Sequence, residues 1–109
     1  MKLALWQTQP FHDPAQGLDA LDRAAQRARG HGAHLLLTPE MTLGGYNVGA
    51  DQCKLLAACS MTLISALQSI AHKHGIALVV GLALPGSSKP YNGVIALDKT
   101  GSEQHRYHK

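Results

Sequence analysis

The chain predicts an α/β fold, on three observations. Short apolar runs recur at KLALWQT, AHLLLTP and IALVVGLAL; amphipathic stretches of helical period separate them; and the series closes on a hairpin pattern. Strands that alternate with helices in this way are expected to run parallel, joined by right-handed crossovers. At 109 residues, 45% of them apolar, there is material for one domain with a modest core, and no repeat or low-complexity linker divides it.

The first strand is expected over residues 2 to 8, where apolar positions alternate or run together. A helix follows. Asp13 suits its N-cap, Pro14 its first position and Gln16 the return position of a capping box. Leu18, Leu21, Ala25 and Ala28 then share one face, while Asp19, Asp22, Arg23, Gln26 and Arg27 point elsewhere, and Gly30 is a natural stop.

The continuous apolar run at 33 to 39 reads as a strand covered on both faces. Past the glycine-rich loop from Gly44 to Gly49, Asp51 is positioned to cap a short helix reaching Ala58, and Ser60 a second one ending before Gly75. The inner face of that second helix is expected at Ile64, Leu67 and Ala71, flanked by Leu63 and Ile70. Residues 76 to 84 form the third strand, PGSSKP is turn chemistry, YNGVIALD is a fourth strand, and a turn at 99 to 101 leads into a fifth, SEQHRYHK.

Charge and composition exclude several classes. The net charge is +3 with seven neutral histidines, and the ten Lys and Arg are scattered rather than massed in a stripe, so nucleic acid is not the expected partner. The apolar stretch after Lys2 is too short for a signal-peptide core, and no run approaches the roughly 20 apolar residues that span a bilayer. A cytoplasmic protein without membrane association is the expectation. Two cysteines, Cys53 and Cys59, are too few for a disulfide framework.

Metal ligation is not expected. His72 and His74 lie about 200° apart on a helix, and His31 and His34 flank a turn with no carboxylate or cysteine at ligand spacing. Cys53 and Cys59 fall about 240° apart on an ideal helix, and no elbow or strand end exposes either as a nucleophile. A nucleotide-binding domain is disfavoured because no phosphate-cradling glycine loop follows the first strand.

Glu40 is the most informative residue. Ligands of open α/β sheets gather at the carboxyl ends of parallel strands, and Glu40 lies just past the end of the second. Thr38 precedes a proline and is biased to extended backbone, while Pro39 fixes its own φ, so the chain delivering Glu40 is stiff. On these grounds Glu40 stands open between a positioned base and a solvated loop carboxylate, and Lys109 reads as a surface charge at a strand end. Tyr46, Tyr91 and Asn92 read as anchors and turn residues beside glycine or proline.

Four blocks in fixed order, KLALWQTQP, GAHLLLTPEMTLGGYN, HGIALVVG and YNGVIALDKTGSEQHRYHK, resemble the nitrilase superfamily of carbon-nitrogen hydrolases over essentially the whole chain. The resemblance implies a part of a four-layer αββα sandwich, about one sheet with its covering helices, and casts residues 1 to 109 as the amino-terminal portion of a single hydrolase domain. It further implies a Glu-Lys-Cys triad acting on amides or nitriles, with Glu40 as general base and Lys109 as oxyanion stabiliser. Tyr46, on the 42 to 50 loop, is expected to line the substrate pocket. Neither Cys53 nor Cys59 matches the nucleophile's motif, so the third member is expected from elsewhere. No cofactor or metal is implied, and a homo-oligomer, a dimer through an outer helical layer, is. The rival expectation is a non-catalytic truncated fragment that serves as scaffold or partner-binding piece. The 109 residues alone are expected to expose an apolar sheet face and to aggregate, or to need a partner segment.

Overall fold

The computed structural model describes residues 1 to 45 and 48 to 109, and its elements follow the expected order. They are β1 (Leu3–Leu5), α1 (Pro14–Gly30), β2 (Leu35–Leu37), α2 (Ala50–Ala58), α3 (Ser60–His74), β3 (Ala77–Leu84), β4 (Tyr91–Leu97) and β5 (Glu103–His108). The five strands form one sheet in sequence order, β1-β2-β3-β4-β5. The first three are parallel, and β4 and β5 add to β3 as an antiparallel meander.

Helices α1 and α3 cover one face of the sheet. Leu21 and Ala25 of α1 and Leu67 and Ala71 of α3 are fully buried, and they meet Leu36, Leu78, Val80, Leu82, Ile95 and Leu97 from the strands. These are the faces that the helical period assigns. Asp13 caps α1 by accepting from the Ala15 N–H at 3.0 Å, and Gly75 ends α3 in the left-handed region at φ 63°. The two helices are also tied at their outer edge. The Asp22 carboxylate meets His74 Nε2 at 2.6 Å and Lys73 Nζ at 3.1 Å, and these contacts, the His74 hydrogen bond foremost, hold it below the usual carboxylate range.

Three local expectations are corrected. Strand β1 is shorter than residues 2 to 8: Trp6 N–H still reaches Leu37 O at 3.0 Å, after which the chain leaves the sheet and Phe11 bridges to Leu43. Helix α2 starts at Ala50 after Gly49 (φ 91°), so Asp51 lies in the first turn, where its charge favours the amide end of the helix, and makes no cap. Ser60 is the first residue of α3 and not its cap. The two helices abut at Cys59, whose N–H bonds back to Leu55 O at 3.1 Å while its carbonyl accepts from Leu63 N–H at 3.1 Å. With no loop between them, there is no free cap position for a side chain to occupy.

The strand at 33 to 39 was expected to be covered on both faces, and the structure covers one. Leu36 is buried among the helices, whereas Leu37 on the opposite face is 37% exposed. Leu3, Leu5 and Tyr107 are also exposed, which agrees with the expected bare apolar sheet surface. Near the carboxyl end of β3, Met41, Leu56, Ala57 and Ala83 make a second small cluster, so Met41 and α2 lie over the strand end.

In the last hairpin Asp98 organises the turn. Its Oδ1 accepts from the N–H groups of Thr100 (2.9 Å) and Ser102 (3.0 Å) and from the Thr100 hydroxyl (2.6 Å); these bonds, that of the hydroxyl first, hold the carboxyl below its ordinary range. Pairing then runs Leu97 to Glu103 and Ala96 to His105, so Gln104 is a bulge residue, and its side-chain amide donates to Asp98 Oδ2 at 2.9 Å.

Candidate active site

The chain leaving β2 does not enter solvent but lies along β3. Thr38 N–H donates to Val79 O at 3.0 Å and Leu43 N–H to Gly81 O at 3.3 Å, so both ends of the intervening turn are pinned to the same strand. Inside it, the buried Thr42 hydroxyl donates to Pro39 O at 2.6 Å, and Met41 takes φ 51°, which few non-glycine residues adopt. Glu40 therefore sits between a proline and a left-handed residue, on backbone with little freedom.

Gly81 makes that arrangement possible. A Cβ at this position would lie 2.6 Å from Met41 N, 2.8 Å from Pro39 O and 3.0 Å from Glu40 Cα. The turn is pressed against the strand at a distance that only glycine allows.

The second charged group arrives from the far end of the chain. Lys109 follows β5, and its N–H donates to Asn92 O at 3.0 Å, which extends the pairing with β4 by one position. Alternation then turns the Lys109 side chain to the face away from α1 and α3, with Tyr107 and Val94. Its Nζ donates to Glu40 Oε1 at 3.0 Å, across 69 residues of sequence. The same Oε1 accepts from the side-chain amide of Asn92. The Lys109 side chain is 67% exposed and that of Glu40 36%, so the ion pair itself stabilises the fold by no more than about 1 kcal/mol. Its importance is one of placement.

These groups line a cleft of about 230 Å³ on the open sheet face, whose apolar part comes from Leu37, Val79, Val94 and Tyr107. A carboxylate paired with an ammonium in an apolar recess can accept a proton beside a positive charge.

Of the residues singled out in the sequence, Glu40 and Lys109 are brought together. Tyr46 lies, with Asn47, outside the described residues. Cys53 is half-buried on α2 and lines a separate depression of about 240 Å³ with Met41 and Gly45, and Cys59 is exposed at the α2–α3 junction. Neither lines the Glu40 cleft. Among the described residues, no group of three His, Cys, Asp or Glu side chains is placed to hold a metal ion.

Asn92, which reads from the sequence as a turn residue, donates its side-chain amide to Glu40. The available signal was its parity. Asn92 shares a strand face with Val94 and Ala96, so it is the polar member of an otherwise apolar row.

A family model described as Carbon-nitrogen hydrolase matches residues 2–109. Among solved structures, the chain is similar to an amidase from Nesterenkonia sp. at 38% identity and a TM-score of 0.84, with 100% of this chain and 42% of that one covered. It is equally similar to a double mutant of the amidase from Nesterenkonia sp. AN1 in complex with acrylamide, at 37% identity, TM-score 0.84 and coverage of 100% and 42%. A mutant of that amidase in complex with butyramide matches at 38% identity, TM-score 0.84 and the same coverage. In another of its structures acrylamide has added at the active site cysteine. No curated protein sequence matches the chain significantly. The chain thus spans 42% of the length of these amidases.

Proposed function

The chain belongs to the carbon-nitrogen hydrolase family, and on that premise we propose that it supplies the base and the cation of an amidase active site. Glu40 is the general base, Lys109 the oxyanion-stabilising ammonium, and the nucleophile is a cysteine other than Cys53 and Cys59. The observation that carries the reading is the 3.0 Å contact of Lys109 Nζ with Glu40 Oε1 at the rim of an apolar cleft.

The chemistry follows from those two groups. Glu40 takes the thiol proton as sulfur bonds to the amide carbon, and the carbonyl π electrons move to oxygen, where the Lys109 ammonium meets the developing charge. The C–N bond then breaks and the leaving amine carries off the proton held by Glu40, which leaves a thioester. Water attacks next. Glu40 accepts its proton as the new C–O bond forms, and returns that proton to sulfur as the C–S bond breaks. Amide and water have become carboxylic acid and amine, and the carboxylate ends as it began. The proposed substrates are small amides, of the kind bound by the similar amidases.

The same reading takes the enzyme as a cytoplasmic homo-oligomer that needs no metal or organic cofactor. Native particle size and turnover in the presence of a chelator check those points.

The decisive test is ammonia release from butyramide and acrylamide by the enzyme that carries this chain. Glu40→Gln should abolish release while circular dichroism stays unchanged; an active Gln variant removes Glu40 from the role of base. Lys109→Met should lower kcat by about 10²- to 10³-fold. An unchanged kcat would end the oxyanion assignment.

A further inference from the structure

We infer that Asn92 is a positioning residue that orients the Glu40 carboxylate and keeps it ionised. The inference rests on the assignment of Glu40 as base but adds a residue to which the catalytic triad gives no part.

Asn92 holds both charged residues at once. Its side-chain amide donates to Glu40 Oε1, while its main-chain carbonyl accepts the N–H of Lys109 at 3.0 Å. Lys109 Nζ closes the circuit on the same carboxylate oxygen at 3.0 Å. One residue of β4 therefore sets both where the carboxylate points and where the chain bearing the ammonium lies.

These two donors on Oε1 differ in reach: Lys109 brings a long, flexible side chain from the position after β5. Asn92 is half-buried, carries two side-chain torsions and is anchored in a strand paired on both sides. The amide has fewer torsions to fix than the ammonium.

Its chemical type matters as well. A neutral N–H donor stabilises the carboxylate over the carboxylic acid. It has no titration of its own near neutrality with which to take up the proton that Glu40 must receive. An aspartate of almost the same shape would reverse this. It would set a second carboxylate against Glu40, and the pair would then hold a proton to higher pH. Among the described residues lining the cleft, the other titratable groups are the Lys109 ammonium and the Tyr107 phenol, from β5 and its end; β2 and β3 contribute none.

The test uses two variants and two readouts. Asn92→Ala removes the donor, and the nearly isosteric Asn92→Asp keeps the packing and changes only the charge. In the enzyme carrying this chain, Asn92→Ala should lower kcat for butyramide by about 10- to 100-fold with little change in KM. The acid limb of kcat/KM should move to higher pH in both variants, and by at least about one unit in Asn92→Asp. A merely structural role for Asn92 would lower activity without moving that limb.

The second readout is independent of turnover. Titration of ¹³C-labelled glutamate carboxyls by NMR, with the Glu40 signal identified by its loss in Glu40→Gln, should show Glu40 protonating at higher pH in both variants. If Asn92→Ala does not fold, Asn92→Asp decides. A Glu40 titration and an acid limb that match wild type in Asn92→Asp overturn the inference. If the wild-type enzyme releases no amine from any small amide, the proposed function fails instead, and the NMR titration alone decides the role of Asn92.

Discussion

The close approach of the Glu40 turn to Gly81 gives the sharpest prediction. In Gly81→Ala the new Cβ would lie 2.6 Å from Met41 N, where ordinary contact begins at 3.4 Å, so backbone must withdraw by about 0.8 Å. The atoms in the way are main chain, and no flexible side chain can swing aside to absorb the change. They are also tethered: Thr38 N–H and Leu43 N–H bond to Val79 and Gly81, and Thr42 closes the turn on Pro39. The displacement therefore passes to Glu40, whose Cα is itself only 3.0 Å from the new atom. A misplacement approaching 1 Å at a catalytic group costs up to about 10²-fold in rate, and overpacking of this type costs about 1 to 3 kcal/mol of stability. The assay is kcat and KM for butyramide hydrolysis beside urea unfolding of the same protein. Loss of kcat with KM nearly constant, together with a lower unfolding midpoint, is the expected pair. A Gly81→Ala enzyme with wild-type kcat would refute the argument, even if it proved less stable, because the strand would then not be what sets the position of Glu40.

Other perturbations follow from the same geometry. Thr42→Val removes the 2.6 Å hydrogen bond to Pro39 O inside the buried turn, and should cost about 1 to 3 kcal/mol in denaturant unfolding and lower kcat in parallel. Leu67→Ala empties a fully buried site between α3 and the sheet and should cost about 2 to 5 kcal/mol while leaving KM unchanged. Asp22, through His74 first, and Asp98, through Thr100 first, have carboxyls held below their ordinary values. A depressed folded value means that their contribution is fully present above the unfolded value of about 3.9 and is lost as pH falls through the folded value. Unfolding midpoints should accordingly drop below about pH 4, with a shallower acid slope in Asp22→Asn; identical slopes for that variant and wild type would remove Asp22 from the account.

Local patterns carried much of this fold into the sequence. The spacing of Leu18, Leu21, Ala25 and Ala28 marks the inner face of α1, and Gly30 and Gly75 mark helix ends, because those signals depend on near neighbours in the chain. The sidedness of β2 was not legible. Three consecutive leucines look alike whether one face is covered or both; within this chain, which spans 42% of the similar amidases, α1 and α3 cover one. The starts of α2 and α3 were misplaced for a related reason, since a helix that begins directly where another ends does not need the capping residue that marks a free terminus. Glu40 could be suspected from its place at a strand end and Lys109 only through family resemblance, as a terminal lysine on a polar strand has no local signature. Asn92 and Gly81 were hidden because their roles exist only across strands. A single asparagine acquires meaning when β3 and β4 bring it to Glu40 over 52 residues.

The bulge at Gln104 separates two requirements that a regular hairpin would couple. Side chains of a strand alternate with a period of two, so a change of one residue in length ordinarily exchanges the two faces of everything that follows. Here the surplus residue stands on the turn side of His105, where its absence would leave the pairing of Val94 with Tyr107 in register. From His105 to Lys109 there is no such slack. Loss of one residue in that stretch would carry the Lys109 ammonium to the helix-covered side, out of reach of Glu40. The turn can therefore lose a residue without moving that ammonium, whereas the five residues from His105 to Lys109 have to be counted out by parity.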